Sequence, residues 1–120
     1  MTFNEKYKDN ILLLKSFAFS LAIIDYAERL EGQRKYVLAS QILKSGTSIG
    51  ANSKEAQNAE SKADFIHKLK IALKEADETE YWLWLCDTHP SYPPCGGLLD
   101  ALSELIRILN KIISTTRTSS

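Results

Sequence analysis

The feature that most constrains this chain is the spacing of its apolar residues, which recur every three or four positions along four long stretches. One stripe runs through Leu13, Phe17, Leu21 and Ile24, and this spacing places side chains on one face of an α-helix. All three prolines lie within residues 90–94, so the stretches lack the residue that breaks helices most strongly. Because the connections are short, the pattern predicts an all-α, antiparallel, up-down-up-down four-helix bundle.

Local signals place the ends of the four helices. Asn10 is a good N-cap, Ser61 with Asp64 resembles a capping box, and the prolines and glycines of residues 89–97 mark a loop. Gly46 and Gly50 lower helix propensity but do not by themselves divide the second helix. The expected helices run from Asp9 or Asn10 to about Leu30, from Arg34 or Lys35 to about Glu60, from Ser61 to the loop, and from about Leu98 to Ser114.

Length and composition indicate one domain. The chain of 120 residues is long enough to bury a core without disulfides or metals, with polar ends expected to fray at about 1–9 and 115–120. Neither a signal peptide nor a membrane span is apparent, since the apolar stretch 11–24 is short and interrupted by Lys15. Two cysteines are too few for a disulfide scaffold. We therefore expect a soluble cytoplasmic protein with reduced thiols.

Polar side chains line the inner side of the second expected helix. Ser45 and Asn52 lie in its apolar stripe, and Gln41, Ser48 and Glu55 border the stripe at heptad spacing. Buried polar groups need hydrogen-bond partners, so these residues predict either a ligand or interface site between helices or a structural network. Buried networks commonly serve structural specificity alone, which favours the second interpretation.

Charge is segregated along the chain, although 15 basic and 15 acidic residues cancel. Residues 34–74 contain eight basic and three acidic residues, whereas residues 75–87 contain five acidic residues and no basic one. A clustered basic face could hold phosphates; the alternative is a solvated surface that complements acidic neighbours. For phosphate binding, the acidic stretch should lie away from the basic face. The candidate nucleic-acid-binding residues are Arg34, Lys35, Lys44, Lys54, Lys62, Lys68, Lys70 and Lys74.

No set of residues completes a known catalytic or metal-binding pattern. A di-metal bundle needs two Glu-x-x-His motifs, and the nearest match, Asp64-x-x-His67, occurs once. Cys86, His89 and Cys95 offer three zinc ligands but lack a fourth and the usual spacing. No Asn or Asp is evidently placed to orient a Cys–His pair. We expect no enzyme activity, no cofactor and no metal.

The aromatic segment of the third expected helix predicts an interface. Residues 81–85, Tyr-Trp-Leu-Trp-Leu, are apolar all round the helix, and one bundle core covers only part of such a surface. Exposed aromatic side chains at this density mark interfaces between proteins, whereas the alternative is burial beneath the proline-rich loop. The candidate oligomer-interface residues are Ile66, Leu73, Tyr81, Trp82 and Trp84.

A family resemblance rests first on residues 40–52, Ser-Gln-Ile-Leu-Lys-Ser-Gly-Thr-Ser-Ile-Gly-Ala-Asn, and on Lys54-Glu55-Ala56 just after them. It rests also on residues 61–66, 71–76 and 78–83. They resemble the bacterial four-helix-bundle family called the 23S rRNA intervening-sequence protein, or S23-like, family. The likeness extends from about residue 16 to residue 113. The family name refers to reading frames within insertions in 23S rRNA genes.

The resemblance implies an antiparallel four-helix bundle and no catalytic residues. It also implies a ring-shaped homopentamer, as in the related accessory proteins of diversity-generating retroelements, which associate with a reverse transcriptase and nucleic acid. The expected function is a non-enzymatic oligomeric accessory module that binds RNA, DNA or a nucleoprotein partner through repeated basic patches. The zero net charge favours the alternative, a protein-interaction scaffold with no nucleic-acid affinity.

Overall fold

Four long helices packed in sequence order form the molecule. The computed structural model describes residues 1–119, over which it has no strand and no helix long and apolar enough to cross a membrane. Helix α3 packs against α2 and α4, and α5 packs against α4 and α2, so α2 and α4 lie diagonally across the bundle. The predicted all-α four-helix bundle is confirmed. The helices are α1 (Phe3–Lys6), α2 (Ile11–Gly32), α3 (Tyr36–Ala56), α4 (Lys62–Thr88) and α5 (Leu98–Thr118).

The core lies along the axis of the bundle, where the apolar stripe of each long helix faces the other three. Ile23 of α2, Ile49 of α3, Leu83 of α4 and Leu105 of α5 are all fully buried in it. Burying one such side chain contributes about 1.5–3 kcal/mol. The helices therefore hold together mainly through the stripes that the sequence pattern defines.

Helices α2 and α3 approach each other closely at Gly46. A Cβ atom placed there would lie 2.8 Å from Cγ2 of Ile23, closer than two carbon atoms can pack. Glycine at this position therefore makes room for the branched side chain of α2. Helix α3 continues without interruption through Gly46 and Gly50, as the sequence analysis expects.

The amino terminus forms a helix where the sequence analysis expects fraying. Thr2 caps α1, its hydroxyl oxygen accepting a hydrogen bond from the backbone N–H of Glu5. The ring of Phe3 stacks on that of Phe17 of α2, with centroids 4.0 Å apart. The spacing Thr2-x-x-Glu5 is that of a capping box, so the sequence did contain a signal for this short helix.

Helix α3 ends at Ala56, four residues before the expected end near Glu60. The backbone N–H groups of Gln57 and Asn58 bond to carbonyls three residues earlier, which tightens the last turn. Ser61 is extended and caps α4 by accepting from the N–H of Asp64. The residues between the two helices are needed to reverse the chain direction.

Helix α5 continues to Thr118, beyond the end expected near Ser114. The hydroxyls of Thr116 and Thr118 donate to carbonyl oxygens of the preceding turn, so these polar residues stay helical. Residues 115–118, which the sequence pattern placed in a frayed polar end, are therefore helical, and Ser120 lies outside the described residues.

The loop at residues 89–97 is anchored to the bundle rather than free. The hydroxyl of Tyr26 on α2 donates to the carbonyl of Pro93 at 2.6 Å, and the N–H of Cys95 donates to the carboxylate of Asp87 at 3.3 Å. Gly96 has φ +58°, a conformation that glycine adopts without strain. These contacts fix the loop beside the C-terminal end of α4.

Candidate interaction surfaces

The aromatic segment of α4 is divided between core and surface. Ile66, Leu73 and Trp82 are half-buried and pack against the subunit's own core. Tyr81 and Trp84 are instead 58% and 55% exposed. Of the five residues predicted for an oligomer interface, only these two present most of their surface outward, and the proline-rich loop does not bury them.

Tyr81 and Trp84 line a groove of about 630 Å³ between the end of α4 and the loop. At the loop side, the Lys35 ammonium lies 4.7 Å from the centre of the Tyr92 ring, within the range of a cation–π contact. The groove therefore has a mainly apolar lining, and one of its rings, Tyr92, already contacts a cation that is not itself part of the lining. We call it the aromatic groove; its lining residues are Leu38, Tyr81, Trp84, Leu85, Thr88, His89, Pro90 and Tyr92.

Carboxylates border the aromatic groove on the side away from the loop. Asp77, Glu78 and Glu80 line an adjoining hollow that shares Tyr81 and Trp84 with the groove. The exposed aromatic rings therefore lie beside a set of negative charges. We call the groove together with these three carboxylates the aromatic–acidic surface.

A second group of exposed apolar side chains lies where α2 meets α3. Leu21 and Ile24 of α2 and Leu43 of α3 are each more than a third exposed. Leu43 lies two helical turns before Gly50 and therefore on the same side of α3. Gly50 faces Ser16 and Ser20 of α2, so this side of α3 borders α2. We call this group the α2–α3 face. Because α2 and α4 are diagonal in the bundle, it points in a different direction from the aromatic groove.

The eight basic residues proposed for nucleic-acid binding do not form one patch. Lys68 lies 3.9 Å from the carboxylate of Glu55, and the ammonium of Lys62 donates to the carbonyl of Ser119. These two cations are therefore partly engaged within the subunit. Arg34 and Lys35 lie at the α2–α3 turn; Lys54, Lys62 and Lys68 lie around the α3–α4 turn at the other end; Lys44, Lys70 and Lys74 lie between them.

The acidic stretch does not lie away from the basic residues. Lys44 and Lys74 line one hollow together with Glu75, Asp77 and Glu78. The expectation that the carboxylates would occupy a separate face is wrong, because α3 and α4 are antiparallel neighbours. Their packing brings the middle of the basic stretch beside the start of the acidic stretch.

The polar residues of α3 do not form a single network. Ser45 is buried, and its hydroxyl shares a hydrogen bond of 2.8 Å with that of Thr79 on α4. Ser48 and Asn52 bond instead to carbonyl oxygens of α3 itself. The other two, Gln41 and Glu55, are exposed.

Thr79 is the residue that the polar-network prediction missed. It is fully buried, and its hydroxyl also lies 2.7 Å from the carbonyl oxygen of Glu75. Its position in the apolar stripe of α4 was the available signal, because a polar residue there needs a partner. To predict that Thr79 pairs with Ser45, one must know how far α3 and α4 are shifted along each other, and a single sequence does not give this shift.

Cys86, His89 and Cys95 do not assemble into a reactive centre. Both thiols are buried and free. Burial raises the pKa of Cys86. Burial, with a smaller effect from the charge of Asp87, also raises the pKa of Cys95 to about 11. His89 is exposed, and its Nδ1 lies 3.0 Å from the hydroxyl of Ser91. Within residues 1–119, no group of three or more His, Cys, Asp and Glu side chains is placed to hold a metal ion.

The geometry is that of a helical-bundle module with two exposed apolar surfaces. The model of the family described as 23S rRNA-intervening sequence protein matches residues 8–111, so the chain belongs to this family. It is 42% identical to a protein of unknown function from the S23 ribosomal protein family of Bacteroides thetaiotaomicron VPI-5482, whose crystal structure superposes with a TM-score of 0.82. That match covers 86% of this chain and 98% of the other. No curated protein matches the chain.

Proposed function

We propose that this protein is a non-enzymatic, self-associating accessory module whose activity is binding. The main support is the exposure of two apolar surfaces on different sides of one small subunit, the α2–α3 face and the aromatic groove. Contiguous exposed apolar surface marks interaction sites in proteins that fold alone. The raised pKa of both thiols speaks against a cysteine nucleophile, which acts as the thiolate.

We assign self-association to the α2–α3 face rather than to α4. Three of the residues proposed for an α4 interface are half-buried against the subunit's own core, and the other two lie beside carboxylates. Phe17 lies one helical turn before Leu21 on the same side of α2, and Phe3 stacks on it, so apolar side chains extend along α2 from this face. Contacts between this face and a different surface of the next subunit would close a ring, and the resemblance implies five subunits.

Light scattering of the purified protein at micromolar concentration tests the assembly. We expect a mass of several subunits for the native chain and of one subunit for Leu21→Lys with Leu43→Lys, with the helical circular dichroism unchanged. Val37→Lys is the matched control, because Val37 is exposed and apolar but lies outside the α2–α3 face. A monomeric native chain would remove self-association from the proposal.

Nucleic-acid binding is the second candidate function; unpaired cations favour it, whereas the carboxylates beside Lys44 and Lys74 oppose it. The two ion pairs within 4 Å among the described residues are Lys15–Glu104 and Lys68–Glu55, so Lys70 and Lys74 form none. A weak patch repeated around an oligomer gains effective concentration. The family name links members to 23S rRNA insertions, and the proposed ligand is therefore RNA or DNA, bound through phosphates.

A titration with RNA and with DNA at several salt concentrations tests this second candidate. Each phosphate neutralised on duplex DNA adds about 0.9 to the slope of log affinity against log salt. Lys70→Glu with Lys74→Glu should flatten that slope while the bundle stays folded, because both side chains are exposed. Absence of salt-sensitive binding at low ionic strength would leave the protein-interaction scaffold as the function.

A further inference from the structure

We propose that the aromatic–acidic surface of α4 binds a basic, amphipathic segment of a partner protein. Such a segment carries an aliphatic or aromatic anchor next to arginine or lysine residues. The inference rests on the proposed binding role, but it uses a surface separate from the α2–α3 face. It therefore names a partner class rather than an assembly contact.

The aromatic groove fits the anchor of such a segment. Its volume of about 630 Å³ lies within the range of sites that enclose a compact ligand or a few large side chains. Tyr81 and Trp84 are each more than half exposed and flank Leu85 and Pro90. Aromatic side chains of this kind are the residues on which protein interfaces most often depend.

The rim of the groove selects for positive charge. Asp77, Glu78 and Glu80 lie beside Tyr81 and Trp84. Lys44 and Lys74 share a hollow with Glu75, Asp77 and Glu78, but the carboxylates outnumber the ammonium groups, so a cation entering beside the rings meets net negative charge. At its other end the ammonium of Lys35 already occupies the Tyr92 ring, so a second cation is favoured only at the carboxylate end. A basic segment therefore places its charges beside Asp77, Glu78 and Glu80.

Two other occupants fit the surface less well. The phosphates of RNA or DNA would be repelled by the carboxylates of Asp77, Glu78 and Glu80, which border the rings. A second copy docked two-fold through the same surface would bring two sets of these carboxylates together, because a two-fold contact places identical patches against each other. A head-to-tail contact, with the α2–α3 face of the next subunit on the groove, is the outcome that the oligomeric state of Trp84→Ala tests. Charge complementarity therefore favours a basic protein segment.

The test uses a short dye-labelled synthetic peptide with a leucine face and flanking arginines, bound to the full chain and followed by fluorescence anisotropy. The same peptide with glutamates in place of the arginines is the charge control. We expect binding of the arginine peptide alone, weakened at least about tenfold by Asp77→Lys with Glu78→Lys. Trp84→Ala should weaken it about fivefold. Ile11→Lys is the matched control and should leave the affinity unchanged, because Ile11 is exposed and lies at the opposite end of the bundle from the groove.

Specific outcomes would overturn the inference. Equal binding of the glutamate peptide, failure of the arginine peptide to bind, or no effect of Asp77→Lys with Glu78→Lys would each reject a basic partner. Loss of the oligomer in Trp84→Ala would assign the groove to a second copy instead. A native chain that is monomeric yet binds the arginine peptide would reject self-association but support this inference. The failure of one proposal can therefore be distinguished from the failure of the other.

Discussion

Gly46 shows how one residue sets the distance between two helices. We predict that Gly46→Ala destabilises the protein, because the new methyl group would lie 2.8 Å from Cγ2 and 2.9 Å from Cγ1 of Ile23. These atoms are next to a stiff branch point in a fully buried side chain, so they cannot move aside easily. Overpacking of this kind costs about 1–3 kcal/mol, against a gain in helix propensity of about 1 kcal/mol.

Urea unfolding measures that difference, and Gly32→Ala is the matched control. Nothing lies within 4 Å of a Cβ at Gly32, which is the last residue of α2. We expect Gly32→Ala to leave the free energy of unfolding unchanged or slightly higher, and Gly46→Ala to lower it. Equal effects of the two substitutions would show that α2 and α3 separate at little cost.

Cys95 predicts a loss of stability at alkaline pH. In the folded state burial raises the pKa of its thiol from 9.0 to about 11. Between these values the unfolded chain loses the proton while the folded chain keeps it. The free energy of unfolding therefore falls as pH rises from 9 towards 11, by up to about 2 kcal/mol for a shift of this size.

The test compares the free energy of unfolding, measured in urea as a function of pH, between the native chain and Cys95→Ala. Tyr26 adds to the fall above its ordinary pKa of 10.0 and Cys86 adds to it above 9.0, because burial raises both pKa values. The contribution of Cys95 is therefore the difference between the two profiles, read between pH 9 and 10, where Tyr26 contributes least. A Cys95→Ala profile as steep as that of the native chain in this interval would rule out the buried thiol as a cause.

At the scale of whole elements, the contact between α3 and α4 includes one buried polar pair, Ser45 with Thr79. The hydroxyls are 2.8 Å apart and both side chains are buried. We predict that Thr79→Val lowers the free energy of unfolding by about 1–3 kcal/mol, since it leaves the hydroxyl of Ser45 without this partner. Ser45→Ala should cost less, because Thr79 keeps its contact with the carbonyl of Glu75.

A double-mutant cycle isolates the pair. The variant that carries both Ser45→Ala and Thr79→Val should lose less than the sum of the single losses, because neither hydroxyl remains unsatisfied. Unfolding in urea gives all the values. Strict additivity would mean that the two hydroxyls do not stabilise each other.

The sequence predicts the helices well because the signals for a helix lie within the helix itself and at its ends. The stripe that contains Leu83 and Cys86, the cap at Ser61 and the break after Thr88 can each be recognised within a few residues. The ends of helices are harder to predict. Helix α3 ends at Ala56, before the expected position, because chain reversal depends on where the neighbouring helix begins. The short helix at Phe3 was missed because an aromatic contact with α2, rather than periodicity, secures it.

At the scale of the whole molecule, the surfaces were harder to predict than the fold. Trp82 and Trp84 are two residues apart, yet one packs against the core and the other is exposed. Lys44 and Glu75 are distant in sequence but share a hollow. Helical phase and charge counts describe one helix at a time, whereas a surface is composed of residues from several helices.

The response to salt separates the two proposed kinds of binding. The α2–α3 face offers Leu21, Ile24 and Leu43, so self-association through it buries mainly apolar surface and should persist as salt rises. Phosphate binding by the exposed lysines should weaken steeply over the same range, because the screening length falls from about 10 Å at 0.1 M to about 3 Å at 1 M salt. We therefore predict that the oligomer mass, measured by light scattering, stays constant while any affinity for RNA is lost. Dissociation of the oligomer in high salt would mean that ion pairs rather than this face hold the subunits together.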